Sequence, residues 1–133
     1  MPSSIGRRLL NRYQQSMPLS RLCIVVYPES PKAWTARSLE RDIAAAGRTA
    51  EAAVESLLSI AEAHIAFDER HGRDPLSSFT AAPQLYWKAF AQAGAASQPR
   101  EVKRVDSKFQ VSYLVGMVPQ NPIVRRYHAL RSA

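Results

Sequence analysis

The stretch from Trp34 to Gly72, WTARSLERDIAAAGRTAEAAVESLLSIAEAHIAFDERHG, constrains the fold most, because two patterns meet inside it at Gly47-Arg48-Thr49. After Thr49 the apolar residues Ala50, Ala53, Val54, Leu57, Leu58, Ala61 and Ile65 recur at helical spacing, which predicts a helix laid on a core. Thr49 suits the N-cap, since its hydroxyl can accept from an orphan backbone N–H of the first turn. Glu51 and Glu55 lie near the positive end of the helix dipole, and Arg70 and His71 near the negative end. Gly72 suits a left-handed C′ position, with Pro75 close behind. Before Thr49 two readings stand. Ala44, Ala45 and Ala46 are strong helix formers and would carry the helix back to Ser38. Gly47 opposes this, because a mid-helix glycine costs about 1 kcal/mol relative to alanine. The alternative is two short strands, Ala33–Leu39 and Ile43–Gly47, around a polar turn at Glu40-Arg41-Asp42.

The flanking segments read more simply. Arg21–Tyr27 reads as a strand: Leu22, Cys23, Ile24, Val25, Val26 and Tyr27 are mostly β-branched or aromatic, and so apolar a run suits a central strand covered on both faces. Pro28-Glu29-Ser30-Pro31 is the expected hairpin connection, since proline cannot continue a central ladder. After a loop at Asp74-Pro75-Leu76-Ser77-Ser78, Pro83 suits N1 of a second, shorter helix through Ala93, with Gly94 as its C′ residue. That helix carries Tyr86, Ala89, Phe90 and Ala93 on one face with Leu85 beside them; Trp87 and Lys88 look outward or into a neighbour. Residues 95–100 read as a Gln/Ser/Pro linker. In Phe109–Val118 the residues Phe109, Val111, Tyr113, Val115 and Met117 point one way and Gln110, Ser112 and Gly116 the other, the mark of a half-buried strand. Pro119 and Pro122 stop it.

In the order strand, turn, strand, turn, strand, then a helix opened by Gly47-Arg48-Thr49-Ala50-Glu51, residues 21–72 resemble the HicB family of antitoxin-like domains. Tyr27 ends the first strand and Trp34-Thr35-Ala36-Arg37 fills the second. Leu39-Glu40-Arg41-Asp42 stands where that family has a Pro-Glu-Leu-type turn, and Ile43–Gly47 is the third strand. The resemblance favours strands over one long helix. It implies an α+β fold: a three- to four-stranded antiparallel sheet with one long helix packed on one face, a ribonuclease H-like or double-stranded-RNA-binding-like β-β-β-α unit. The short second helix and the C-terminal strand add to it. The expected organisation is a basic extension over 1–20, a HicB-like domain over 21–94, and a basic segment over 95–133 serving oligomerisation. The implied function is non-catalytic: binding a small RNA-cleaving toxin of the HicA type, in a bacterial cytoplasm. Many members of the family add a C-terminal helix-turn-helix or ribbon-helix-helix for their operator. Residues 99–133 show neither pattern, so a stand-alone member is expected.

A length of 133 residues suits one domain, and 46% hydrophobic with 22% charged residues argues against wholesale disorder. One cysteine excludes an internal disulfide, and Cys23 in its apolar run reads as a small buried hydrophobe. No apolar run approaches the roughly 20 residues of a membrane span. Charge is uneven. Residues 1–21 carry four arginines and no acid, +4; residues 22–98 carry seven bases and nine acids, −2; residues 99–133 carry seven bases and two acids, +5. Basic ends are either solubilising or a nucleic-acid footprint, for which Arg7, Arg8, Arg12, Arg100, Lys103, Arg104, Arg125 and Arg126 are the candidate contacts. Ile5, Leu9 and Tyr13 recur at i, i+4, i+8 among the N-terminal arginines, a weak amphipathic pattern. It reads as a transit peptide, an extension ahead of an alternative start at Met17, or a docking arm. A prokaryotic source removes the first.

No constellation announces catalysis or a cofactor. No serine stands in a Gly-x-Ser-x-Gly elbow, five glycines form no phosphate-cradling loop, and Glu51/Glu55 and Asp68/Glu69 fall on a solvated helix face. His64, Asp68 and His71 at i, i+4, i+7 share a helix face and could touch one metal, but no fourth ligand is announced. The plainer reading has His64 bordering the apolar stripe, Asp68 and Arg70 solvated, and His71 complementing the helix C-terminus. Assembly is the sharper demand. Phe109–Val118 together with Tyr86, Phe90 and Trp87 offer more apolar side chains than one helix on three strands buries, each worth about 1.5–3 kcal/mol. The C-terminal strand therefore joins its own sheet or pairs with a second chain, and a homodimer through Phe109, Val111, Tyr113 and Val115 is expected. Elemental analysis of tag-free protein is expected to find no stoichiometric zinc or nickel; a metal lost on His71→Ala would reverse this.

Overall fold

Strand β1 (Arg21–Ser30) organises the molecule, because Leu22 through Tyr27 are all buried and face both ways. The structure, a computed structural model, describes residues 21–96, 100–104 and 111–123. With β2 (Ala33–Ser38), β3 (Ala44–Gly47), β4 (Arg100–Arg104) and β5 (Val111–Met117), β1 builds a five-stranded sheet of order β3-β2-β1-β5-β4. Helix α1 (Ala50–Arg70) covers one face and helix α2 (Gln84–Ala96) packs on the other, over β1 and β5. The class is α+β, as expected. Leu22, Ile24 and Val26 meet α1 together with Ala36, Tyr113 and the apolar stripe of the helix. Cys23, Val25 and Tyr27 meet Tyr86, Ala89 and Ala93 of α2.

The fork at Gly47 resolves into strands. β2 and β3 pair antiparallel from Trp34↔Gly47 to Arg37↔Ala44. Thr49 is extended (φ −129°, ψ 164°), and its hydroxyl accepts the Ala52 N–H at 3.0 Å. Gly47 is demanded by close approach: a Cβ there would lie 2.4 Å from the Ala53 nitrogen and 2.7 Å from the Ala52 carbonyl carbon. The third strand and the first helical turn therefore touch through backbone. At the other end of α1 the cap is His71, and Gly72 takes φ +65° as its position requires.

Several expectations are corrected. The sheet is mixed rather than antiparallel throughout: β1 pairs antiparallel with β2 but parallel with β5, from Arg21↔Ser112 to Val26↔Met117. A parallel partner needs a long crossover, which α1 and α2 supply. β4, antiparallel to β5, falls partly where a linker was expected, because REVKR has no apolar alternation and its place is set by pairing. The domain thus continues past residue 94 to Val118, whose N–H bonds the Val26 carbonyl at 2.9 Å. β1 runs on through Pro28 to Ser30 with an irregularity between those residues, and the turn falls at Pro31-Lys32. A bulge lets a proline without an N–H stay in the strand. α2 passes through Gly94, and Trp87 turns inward, its indole N–H donating to the Ala82 carbonyl at 3.1 Å. Asp68 is buried, not solvated. Its Oδ2 accepts the Leu76 N–H at 2.8 Å, and its carbonyl accepts from Arg73, fastening the loop after α1. Leu76, fully buried, holds φ 59°.

The interface expected at the C-terminal strand is used within the chain. β5 has strands on both sides, Val111 and Tyr113 are buried against α1, and Val115 packs beside them. Phe109 lies outside the described residues. Val111, Tyr113 and Val115 are thus covered within the chain by α1 and β1, and Tyr86, Trp87 and Phe90 pack in the cluster on the other side of β1. Gly47→Ala is expected to cost about 1–3 kcal/mol through overpacking, read as a lower urea midpoint at unchanged slope. Thr49→Ala should cost about 1 kcal/mol from the lost cap.

Candidate functional site

Because α2 lies over β1 and β5, the β2–β3 half of that sheet face has no helical roof among the described residues. Alternation puts Trp34, Ala36 and Ala45 toward α1, and Thr35, Arg37, Ala44 and Ala46 toward the open side. Ala44 and Ala46 are exposed. β3 is the outermost strand, so its far edge has no strand partner among the described residues. Ala-Ala-Ala-Gly also lacks the charge or proline that commonly guards such an edge.

Arg37 sits where this open half meets α2. Its NH1 donates to Asp42 Oδ1 at 2.7 Å and its Nε to the Tyr27 hydroxyl at 3.4 Å; its guanidinium lies 4.4 Å from the Tyr86 ring centroid. Tyr27 and Tyr86 stack with centroids 5.8 Å apart. Burial alone would lower the Arg37 pKa, but the hydrogen bonds it donates to Tyr27 and Asp42 outweigh it and hold the guanidinium more firmly protonated than usual. Burial pushes the Tyr27 hydroxyl up from 10.0 to about 12, with Arg37 opposing. Farther along β2, Thr35 donates to Glu29 Oε1 at 3.2 Å, and Asn121 donates to Glu29 Oε2 at 2.8 Å. The shelf is thus small-residue floor bounded by two polar clusters.

The β2–β3 turn is braced from behind. Glu40 Oε1 accepts the Cys23 N–H at 2.7 Å, Arg41 donates to the Phe79 carbonyl at 2.9 Å, and the Asp42 N–H reaches the Thr80 carbonyl at 2.6 Å. Burial, then the neighbouring Glu40 carboxylate, pushes the Cys23 thiol up to about 12, so it is a poor nucleophile.

The residues singled out from the sequence do not converge. His64 meets Phe79 edge-on at 5.0 Å, Asp68 is spent on Leu76, and the His71 Nδ1 lies 2.8 Å from the Phe67 carbonyl. No group of three His, Cys, Asp or Glu side chains is placed for a metal among the described residues, and no described helix is long and apolar enough to cross a membrane. Arg100, Lys103 and Arg104 stand on β4, at the sheet edge opposite β3. Arg7, Arg8, Arg12, Arg125 and Arg126 lie outside the described residues. The Arg37 cluster escaped the sequence reading, although Arg37 and Asp42 flank the turn at a spacing that allows a cross-turn ion pair.

Comparisons with protein-family models, curated proteins and solved structures find no match to this chain. What stands is an α+β protein with an open sheet half.

Because the folded-state pKa of Tyr27 is raised, its stabilising contribution is complete below pH 10.0 and lost as pH climbs toward about 12. The unfolded chain ionises first over that interval. Tyr27→Phe is expected to flatten this alkaline fall in stability, measured by urea denaturation at stepped pH.

Proposed function

We propose that this chain is a non-catalytic protein-binding module of HicB-like build that takes a small, basic, RNA-cleaving toxin of the HicA type on its open sheet half. The observation that carries the reading is the unguarded outer edge of β3, continuous with the exposed floor of Ala44 and Ala46. A free edge presents N–H and C=O groups in register for an added strand, and side chains beside it supply selectivity. Glu29, Asp42 and Arg37 border that floor. The β-β-β-α order and the Gly47-Arg48-Thr49-Ala50-Glu51 step support the HicB-like assignment. The net charge of −2 over residues 22–98, seven bases against nine acids, favours a basic partner. An antitoxin acts by covering another protein's site, so it needs no reactive groups. A bacterial cytoplasmic setting belongs to this reading.

A second reading, nucleic-acid binding, is favoured by the placement of Arg100, Lys103 and Arg104 along β4. The two use opposite edges, which makes them separable. Co-expression with the product of an adjacent short basic reading frame should give a stable complex. Ala44→Lys with Ala46→Lys should weaken it about tenfold or more, roughly 1.4 kcal/mol, while Arg100→Ala with Lys103→Ala and Arg104→Ala leaves it intact. A chain that ignores the toxin but is retained on RNA with steep salt dependence supports the second reading. A concentration-dependent dimer abolished by the lysine pair would assign the β3 edge to self-association.

A further inference from the structure

Strand β3 and helix α1 leave exposed surface on the same side of the molecule, and the hand of the sheet shows it. Cys23, whose side chain faces α2, sends its N–H to Glu40 and its carbonyl to Leu39, both on the β2 side. Val26, whose side chain faces α1, sends its carbonyl to Val118, on the β5 side. L-residues allow one hand for this arrangement: with α1 in front and β1 rising, β2 and β3 lie to the left. Gly47 at the end of β3 pairs with Trp34, and Trp34 with Pro28 near the upper end of β1, so α1 starts at the top and descends. A right-handed helix descending there, with Ala53, Leu57, Ala61, Ile65 and Asp68 turned in, carries Ile60, His64 and Phe67 on its left flank. Glu51, Glu55, Glu62 and Glu69 lie on its right flank, toward β5 and β4. An independent contact agrees: His64 meets Phe79 edge-on at 5.0 Å, and the Phe79 carbonyl accepts from Arg41 in the β2–β3 turn.

Ile60, 39% exposed, therefore borders the edge of β3 that has no strand partner among the described residues. Ile60 lies about 15 Å down the helix from Ala50, and Ala44 about 10 Å down the strand from Gly47. The isoleucine thus flanks the lower part of β3, near Ala44. Above it the cleft is closed, because Gly47 touches the first turn of α1 through backbone. Below it Phe67 is flanked by the His71 ring at 4.1 Å and by the Arg73 guanidinium 6.0 Å from its centroid. A strand added about 4.8 Å beyond β3 would run under this flank and cover Ile60.

The two sides of that edge differ in charge. On the α1 side stand Arg41 and Arg73 with His64 and His71, while the glutamates of the helix are all on the far flank. On the shelf side stand Glu29 and Asp42, with Arg37 paired to Asp42. An added strand turns successive residues to opposite sides. Its bases are favoured on the shelf side and opposed on the α1 side, where Ile60 calls for apolar cover.

We propose that the segment seated on β3 is a two-sided extended stretch of a partner protein. Large apolar residues turn toward α1, against Ile60 and the His64–Phe79 pair, and lysine or arginine turns toward the shelf. The inference rests on β3 being the docking edge, as in the toxin-binding reading, and adds the residue pattern of what docks. The β3 strand of a second copy does not supply it: Ala-Ala-Ala-Gly has neither a large apolar residue nor a base.

The test titrates the isotope-labelled full chain with three synthetic peptides of about eight residues. One alternates lysine with valine, one alternates glutamate with valine, and one carries the lysine–valine composition as two blocks. The alternating lysine peptide is expected to shift the amides of Ala44–Gly47 and Ile60–His64 and to leave Val111–Met117 unmoved. It should bind about tenfold or more tighter than either other peptide and lose about tenfold with Ile60→Arg. N-methylation of its edge-facing amides should abolish binding. If Ile60→Arg disturbs folding, Ile60→Ala reads the same loss in smaller measure. Absent shifts, shifts elsewhere, equal binding of alternating and block peptides, preference for glutamate, or indifference to Ile60 overturns the proposal. Shifts at the same amides on concentrating the chain alone also overturn it, by assigning the edge to a second copy. A toxin complex that is weakened by Ala44→Lys with Ala46→Lys but not by Ile60→Arg keeps the toxin-binding reading and sinks this inference. Peptide selectivity without any toxin complex does the reverse.

Discussion

Strand β1 presents Leu22, Ile24 and Val26 to one side and Cys23, Val25 and Tyr27 to the other, and a strand of that kind must be roofed twice. Everything else in the architecture answers to this. Leaving either side wet would forfeit about 1.5–3 kcal/mol for each large residue, so one helix cannot suffice. The chain lays α1 over the first side and α2 over the second, and in changing faces it acquires the crossover that a parallel neighbour requires. The open half of the sheet is a by-product: α2 is only 13 residues long and sits over β1 and β5, which leaves β2 and β3 without a helix on that side among the described residues.

The polar cluster at the border shows how such a surface is kept from collapsing. Arg37 would be costly half-buried on its own; Asp42, the Tyr27 hydroxyl and the face of Tyr86 each meet a different part of its planar group. Its aromatic neighbours belong to β1 and α2, while its carboxylate belongs to the β2–β3 turn. One side chain therefore ties the turn, the central strand and the second helix together. The cluster thereby holds the open side of β2 and β3 in one shape.

What could be read from the residues followed the strength of local pattern. The α1 stripe, the Thr49 cap, the Gly47 break and the alternation from Val111 to Met117 were visible because each is written in a few consecutive positions. β4 was invisible: REVKR has no apolar alternation, and only its pairing with β5 makes it a strand. The parallel direction of β5 was hidden for the same reason, since orientation depends on where the intervening helices turn. Asp68 misled because its helical position is ordinary, and only the loop that folds back to place Leu76 over it makes it a buried acceptor. The Arg37 cluster joins positions 27, 37, 42 and 86, a grouping no short window contains.

The parallel pairing of β1 with β5 also sets an order of events. Val25 and Gly116 are register partners, as are Leu22 and Tyr113, so β1 waits for a neighbour some ninety residues downstream. Helix α1 and the β1–β2–β3 meander can form from nearby contacts, but one edge of the most apolar strand stays unpaired until the last part of the chain arrives. Closing so long a loop is entropically slow, and non-local strand pairing sets the pace of folding. During synthesis, at 5–20 residues per second on the order given for ribosomes, that edge is open for several seconds. A chain interrupted before Val111 would carry the same apolar strand with no means of closing it, and would be prey to aggregation and proteolysis rather than a smaller folded protein.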